Sequence, residues 1–281
     1  MSPWMATLGP ATRELELPQI PFWTPSGDRR VQPKSLLLQG RNIYSQRGDD
    51  GIIAEIFKRL NIERGFFVEF GGWDGVFLAN SRALFDAGWS GAFIEADTEK
   101  FGDLKRNYAG HEQILCIREW VGLPGGPGKM IDQIAAEEFA AREIDFMTID
   151  IDGLDYRILE TMALQPKVVC IEGGFAWHPK FTRRIPDAVA ARNLQQPLSV
   201  MIDVGRAAGY VPVCFNQNLY LVLKHLADPF AGIQNDVLTL WQDAWFNESD
   251  SFRAGLTNFR GRNENIRREE GGDFSALPVE I

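Results

Sequence analysis

The sequence predicts an α/β fold: a mostly parallel β-sheet with helices on both faces, closed by an antiparallel C-terminal hairpin. Three observations lead there. Short apolar runs alternate with amphipathic stretches five times along the chain, the pattern of βαβ units. The last two apolar runs are separated only by Asn216-Gln217-Asn218, too short for a crossover, so these strands must pair antiparallel. Carboxylates stand where four of the parallel runs end, and ligands of such sheets bind outside the carboxyl ends of the strands.

Composition bounds the rest. The chain has 281 residues, 45% hydrophobic and 24% charged. That is enough for one large domain with extensions or two small ones. A net charge of -9 argues against nucleic acid as a partner. No apolar run approaches the length of a membrane span, so no membrane partner is expected. Met1 to Pro25 lacks a basic start followed by an apolar core and does not read as a secretory signal. Cys116, Cys170 and Cys214 are odd in number, fall in apolar runs and have no paired spacing. They read as thiols of a reducing compartment, and the expected location is cytoplasmic.

Taken in order, residues 1–43 hold many prolines and little periodicity. They read as an irregular arm packed on the domain or on a partner subunit of a homodimer. Ile52, Ile53, Ile56, Phe57 and Leu60 recur at helical spacing, with Asp49 or Asp50 as the cap. Gly65 to Phe70 is the first strand, and it stops at Gly71-Gly72-Trp73-Asp74-Gly75. Asn80 to Ala87 predicts a short helix ended by Gly88. Gly91 to Glu95 is the second strand and Thr98 to Tyr108 a helix. Gln113 to Ile117 is the third strand. The loop after it, Gly122 to Lys129, lacks the spacing of a phosphate-binding P-loop. Met130 to Arg142 is an amphipathic helix and Ile144 to Ile149 the fourth strand. Tyr156 to Ala163 is helical, Lys167 to Ile171 the fifth strand and Leu198 to Ala208 a helix. The hairpin pairs Val211 to Phe215 with Leu219 to Leu223, and a helix from Ile233 to Phe246 follows.

The turn after the first strand carries the first functional signal. Its glycines permit positive φ and close approach to a ligand, and Glu69 and Asp74 flank it with acceptors. Glu95 ends the second strand at roughly the spacing of an acid that takes ribose hydroxyls. Yet the turn lacks G-x-G-x-x-G, and Asp74 would repel a pyrophosphate. An acidic glycine-rich turn suits a ligand with an adenosine and a cationic end, such as S-adenosyl-L-methionine (SAM).

Three segments then carry a resemblance. They are Ser45-Gln46 with Asp49-Asp50; Val68 to Gly75 with Asn80-Ser81 and Gly88-Trp89-Ser90-Gly91; and Ile149-Asp150-Ile151-Asp152-Gly153. Together they resemble the FkbM-type family of class I SAM-dependent methyltransferases over about residues 44–225. The resemblance implies a Rossmann-like class I methyltransferase sheet as the domain at 44–225, with a C-terminal helix and polar tail at 226–281. It implies methylation of a small-molecule hydroxyl on a sugar-bearing or polyketide-type natural product. A noncatalytic SAM-binding or scaffold protein is the alternative.

Carried over by position, Glu69, Gly71 and Asp74 would line the methionine half of the cofactor. Glu95, helped by Asp97, would hold the ribose. Glu119 and Trp120 would sit beside the adenine, Trp120 being equally readable as core, and Gln46 would reach in from the helix before the first strand. Asp150, Asp152 and Asp155 lack the spacing of a calcium loop. Asp150, Asp152 and His178 are the candidates for handling the acceptor proton. Asp150 and Glu172, at the tips of two strands that the family places side by side, are candidate ligands of Mg2+, which would lower the pKa of the acceptor hydroxyl.

Overall fold

A computed structural model describes residues 31–247 of the protein except 141, 152, 175, 176, 178, 180, 181 and 192–194. Asp152 and His178 therefore lie outside the described residues, as do most of the N-terminal arm and the polar C-terminal tail.

The elements in chain order are α1 (Asp49–Leu60), β1 (Phe66–Phe70), α2 (Arg82–Asp86), β2 (Ser90–Ile94), α3 (Thr98–Asn107), β3 (Ile114–Ile117), α4 (Ile131–Glu138), β4 (Phe146–Ile149), α5 (Asp155–Thr161), β5 (Val168–Glu172), α6 (Asp187–Ala190), α7 (Leu198–Ala207), β6 (Tyr210–Phe215), β7 (Asn218–Leu223) and α8 (Val237–Asn247). The strands form one sheet in the order β3-β2-β1-β4-β5-β7-β6. The first five strands are parallel, and β7 runs antiparallel to both β5 and β6. This is the Rossmann-like α/β sheet that the alternation predicted, with its hairpin inserted beside β5.

Every residue of β1 is buried, because helices cover both faces of a parallel sheet. Side chains alternate between the faces. Val68, Phe70, Ile149 and Ile171 pack with α4, α5, α7 and α8. Phe67, Phe93, Phe146 and Tyr220 pack with α1, α2 and α3. Leu36 and Leu37, from a 3-10 turn before α1, join this second core. Gln32 donates to both carboxylate oxygens of Asp243 on α8, at 3.0 and 2.8 Å, so the segments flanking the sheet hold each other.

Two element boundaries differ from the sequence expectation for physical reasons. The helix expected to reach Arg142 ends at Glu138. Phe139 leaves helical geometry to pack its ring 5.5 Å from that of Phe66, so burial overrides local propensity. The helix expected from Asn80 is only Arg82–Asp86, because the amides of Asn80 and Ser81 are held by a side chain from β1. The three cysteines are unpaired, Cys170 and Cys214 being buried and Cys116 half-buried. Among the described residues no helix is long and apolar enough to cross a membrane.

Candidate active site

In a parallel sheet with order 3-2-1-4-5, the chain leaves β1 at the switch point, where crossovers diverge to opposite sides. The loop after β1 is built for close approach there. Gly71 has φ +72, and a Cβ on it would lie 2.4 Å from the backbone oxygen of Asp150. The tips of β1 and β4 are thus in direct backbone contact. Gly72 N–H donates to Ile94 O at 3.4 Å, which ties the same loop to β2.

Glu95 follows β2 and is half-buried. Its Oε2 accepts from Trp73 N–H at 2.9 Å and its Oε1 from Asp97 N–H at 2.7 Å. A carboxylate offers about four lone-pair positions, so each oxygen keeps capacity for one more donor. Asp97 caps α3, its Oδ1 accepting from Glu99 and Lys100 N–H at 2.9 Å each. Asp74 does similar local work, accepting from Val76 N–H at 2.9 Å and Phe77 N–H at 2.8 Å. Trp73 takes φ +47 and is 43% exposed. Such a conformation is uncommon for a bulky residue and marks a constrained loop.

Glu119 and Trp120 follow β3, beside β2, and both are half-buried. Glu119 Oε2 pairs with Lys129 Nζ at 3.2 Å, and Trp120 packs against the core around α4. Gln46 is exposed just before α1. Asp150 is exposed at the tip of β4. Ile149 pairs in register with Ile171, so Asp150 and Glu172 end neighbouring strands. The structure therefore gathers Gly71, Asp74, Glu95, Asp97 and Asp150 around the switch point.

Glu69, expected to line the methionine half of a cofactor, is 4% exposed and shares the face of Phe67, toward α1 and α2. Its oxygens accept from Asn80 N–H at 2.9 Å and Ser81 N–H at 2.7 Å. Burial pushes its pKa up to about 7 against the pull of those hydrogen bonds. It thereby fixes the chain just before α2 to the tip of β1.

The metal expectation meets the same test of donors. Glu172 Oε2 already accepts from Gln195 Nε2 at 2.7 Å. No group of three or more His, Cys, Asp or Glu able to hold an ion occurs among the described residues. Among the described residues, which do not include Asp152 or His178, Asp150 and Glu172 are thus joined by no third His, Cys, Asp or Glu ligand.

Sequence reading missed a second cluster at these strand ends. Asp49 is fully buried and accepts from Asn216 Nδ2 at 2.6 Å, Tyr220 OH at 2.5 Å and Asn218 Nδ2 at 3.2 Å. Burial pushes its pKa up to about 6, opposed by the bonds from Tyr220 and Asn216. The first turn of α1 is thereby fastened to the β6–β7 link on the cleft side. Gln217, in the link itself, takes φ +96, where glycine would be unstrained.

No protein-family model matches the sequence, and no curated protein matches it at a level that indicates kinship. Among solved structures the chain is similar to a candidate caffeoyl-CoA O-methyltransferase from Staphylococcus aureus (15% identity, 64% of this chain and 84% of that one, TM-score 0.43). It is also similar to a fibrillarin pre-rRNA processing protein from Methanococcus jannaschii (12% identity, 69% and 87%, TM-score 0.41). A third is a SAM-dependent methyltransferase from Aquifex aeolicus (12% identity, 60% and 88%, TM-score 0.35). Likeness at this level does not reach activity or substrate, and the strand order stands independently of it.

Proposed function

We propose that the protein is a SAM-dependent methyltransferase acting on a hydroxyl of a small molecule, of the FkbM type. The observation that carries this reading is the Glu95 carboxylate. It lies at the tip of β2, is held by Trp73 and Asp97 N–H and retains acceptor capacity beside the glycine turn of β1. A ribose presents two adjacent hydroxyl donors to such an acid. Glu95 would hold the ribose, the Gly71–Trp73 backbone would approach the amino-acid end, and Glu119 and Trp120 would flank the base. Asp74 and Asp97 shape the turn and the α3 cap around it. Gln46 stands at the rim. The cofactor, when bound, supplies a methyl group on a sulfonium.

The chain's own part in the reaction is alignment and proton removal. The site would hold the acceptor hydroxyl in line with that methyl group, and a base of the chain would receive the hydroxyl proton as the methyl passes from sulfur to oxygen. Asp150, exposed at the tip of β4 with its backbone oxygen against Gly71, would take that proton in this reading. Asp152 and His178 are the other bases in this reading. No step is assigned to magnesium, because the described residues hold no group of three ligands for it. A sugar-bearing or polyketide-type acceptor, a cytoplasmic setting and a homodimer belong to the same proposal.

Calorimetry with SAM, S-adenosylhomocysteine and NAD tests it. The two sulfur ligands are expected to bind and NAD not to. Glu95→Ala should weaken them by roughly 1–3 kcal/mol, the cost of losing a charged hydrogen-bond partner. Unchanged affinity in that variant would remove Glu95 from the site. With an acceptor in hand, Asp150→Asn should cut turnover at least tenfold while S-adenosylhomocysteine affinity stays within a few-fold. Turnover should persist after exhaustive chelation.

A further inference from the structure

The loop that leaves β1 is closed at its base by one side chain. Glu69 Oε1 accepts from Asn80 N–H at 2.9 Å and Oε2 from Ser81 N–H at 2.7 Å, donors 11 and 12 positions further along the chain. Residues 70–79 therefore leave from Glu69 and return to it. Between these ends, Trp73 N–H donates to Glu95 at 2.9 Å, and Tyr108 OH donates to Gly75 O at 2.5 Å.

Ordering a flexible loop costs conformational entropy. A loop closed beforehand spares a ligand that cost on binding. Two amides need two acceptors here. An ionised carboxylate offers both oxygens, whereas a protonated one turns part of that capacity into a donor. Glu69 is flanked by Phe93 on β2 and Thr148 on β4, neither of them charged. Asp50 on α1 opposes its ionisation. Tyr108 on α3 and Cys170 on β5 also interact with it, and burial raises both, so they stay neutral near pH 7.

We propose that Glu69 is a positioning residue: its ionised carboxylate holds the β1–α2 loop closed in the form that binds the cofactor, and its protonation loosens the loop and weakens binding. The inference rests on SAM being the ligand of this cleft. Burial pushes the Glu69 pKa up to about 7. Its ionised fraction then falls from about nine-tenths at pH 8 to about one-tenth at pH 6, and apparent affinity scales with the competent fraction.

S-adenosylhomocysteine, titrated onto the full chain by calorimetry, is expected to bind about tenfold more weakly at pH 6 than at pH 8. Glu69→Gln keeps the size and one acceptor oxygen but cannot ionise. It should bind weakly at both pH values, with little difference between them. Asp49 also titrates, near pH 6, so Asp49→Asn is the control and should keep the difference. In the ligand-free native chain, the Asn80 and Ser81 amide resonances should shift with a common midpoint near pH 7, which needs no variant to fold. Binding that does not change with pH, amides that do not titrate, or a Glu69→Gln variant that keeps the native pH dependence would overturn the inference and leave the cofactor reading standing. No binding of S-adenosylhomocysteine at pH 8 would remove both.

Discussion

One carboxylate joins the first helix to the last hairpin. Asp49 and its partners Asn216 and Tyr220 are separated by 167 and 171 positions in the chain. Its folded pKa near 6 stands above the ordinary 3.8 because burial disfavours the charge. The folded state therefore binds the proton more tightly than the unfolded chain does. This contribution to stability is fully present below about pH 3.8 and is lost as pH rises through about 6. The difference amounts to on the order of 3 kcal/mol. Glu69, raised to about 7 by burial, acts in the same direction over a higher window. Asp49→Asn can keep its two shortest bonds while removing the titration. Urea unfolding of both proteins at pH 8 and pH 5 should show the variant losing ground to the native chain at pH 5. A difference that does not vary with pH would mean that Asp49 is not titrating in the folded state.

The loop after β1 is where local chain geometry and the site meet. A side chain at Gly71 would need both a left-handed backbone and space already filled by Asp150 O, at 2.4 Å. Backbone cannot swing aside as a side chain can, so β1 and β4 would have to part at their tips. Gly71→Ala is expected to cost about 2–4 kcal/mol and to lower S-adenosylhomocysteine affinity more than tenfold. Thermal unfolding and calorimetry on the same preparation check both halves. Much of this element was legible in the sequence. Periodicity separates strands from helices, and Glu95 and Asp150 stand at strand ends by position alone. The direction of Glu69 was not legible, because a strand buried on both faces shows no alternation to say which side is open. Phe139 was misread because its helical spacing gave no hint of the Phe66 ring. The Asp49 clasp was invisible because its partners lie at the far end of the chain, and nothing local distinguishes it from an ordinary helix cap.

The whole molecule depends on a strand arriving late. β7 is the last strand made among the described residues, yet it lies inside the sheet between β5 and β6, supplying the antiparallel partner of Val168 to Glu172. At roughly 5–20 residues per second of synthesis, β5 waits several seconds for that partner. Meanwhile Val168, Val169, Cys170 and Ile171 form an apolar, uncharged edge, the kind that pairs with other chains. A chain stopped after Ala207 should keep β1 to β5 and lose solubility. One extended through Leu223 should recover most of it. Soluble yield of the two truncations from one expression system decides the matter, and equal yields would show that the exposed edge is harmless. During synthesis the nascent protein is thus at its most vulnerable when five of the seven strands of the described sheet have already left the ribosome, and any pause between β5 and β7 prolongs its exposure to aggregation.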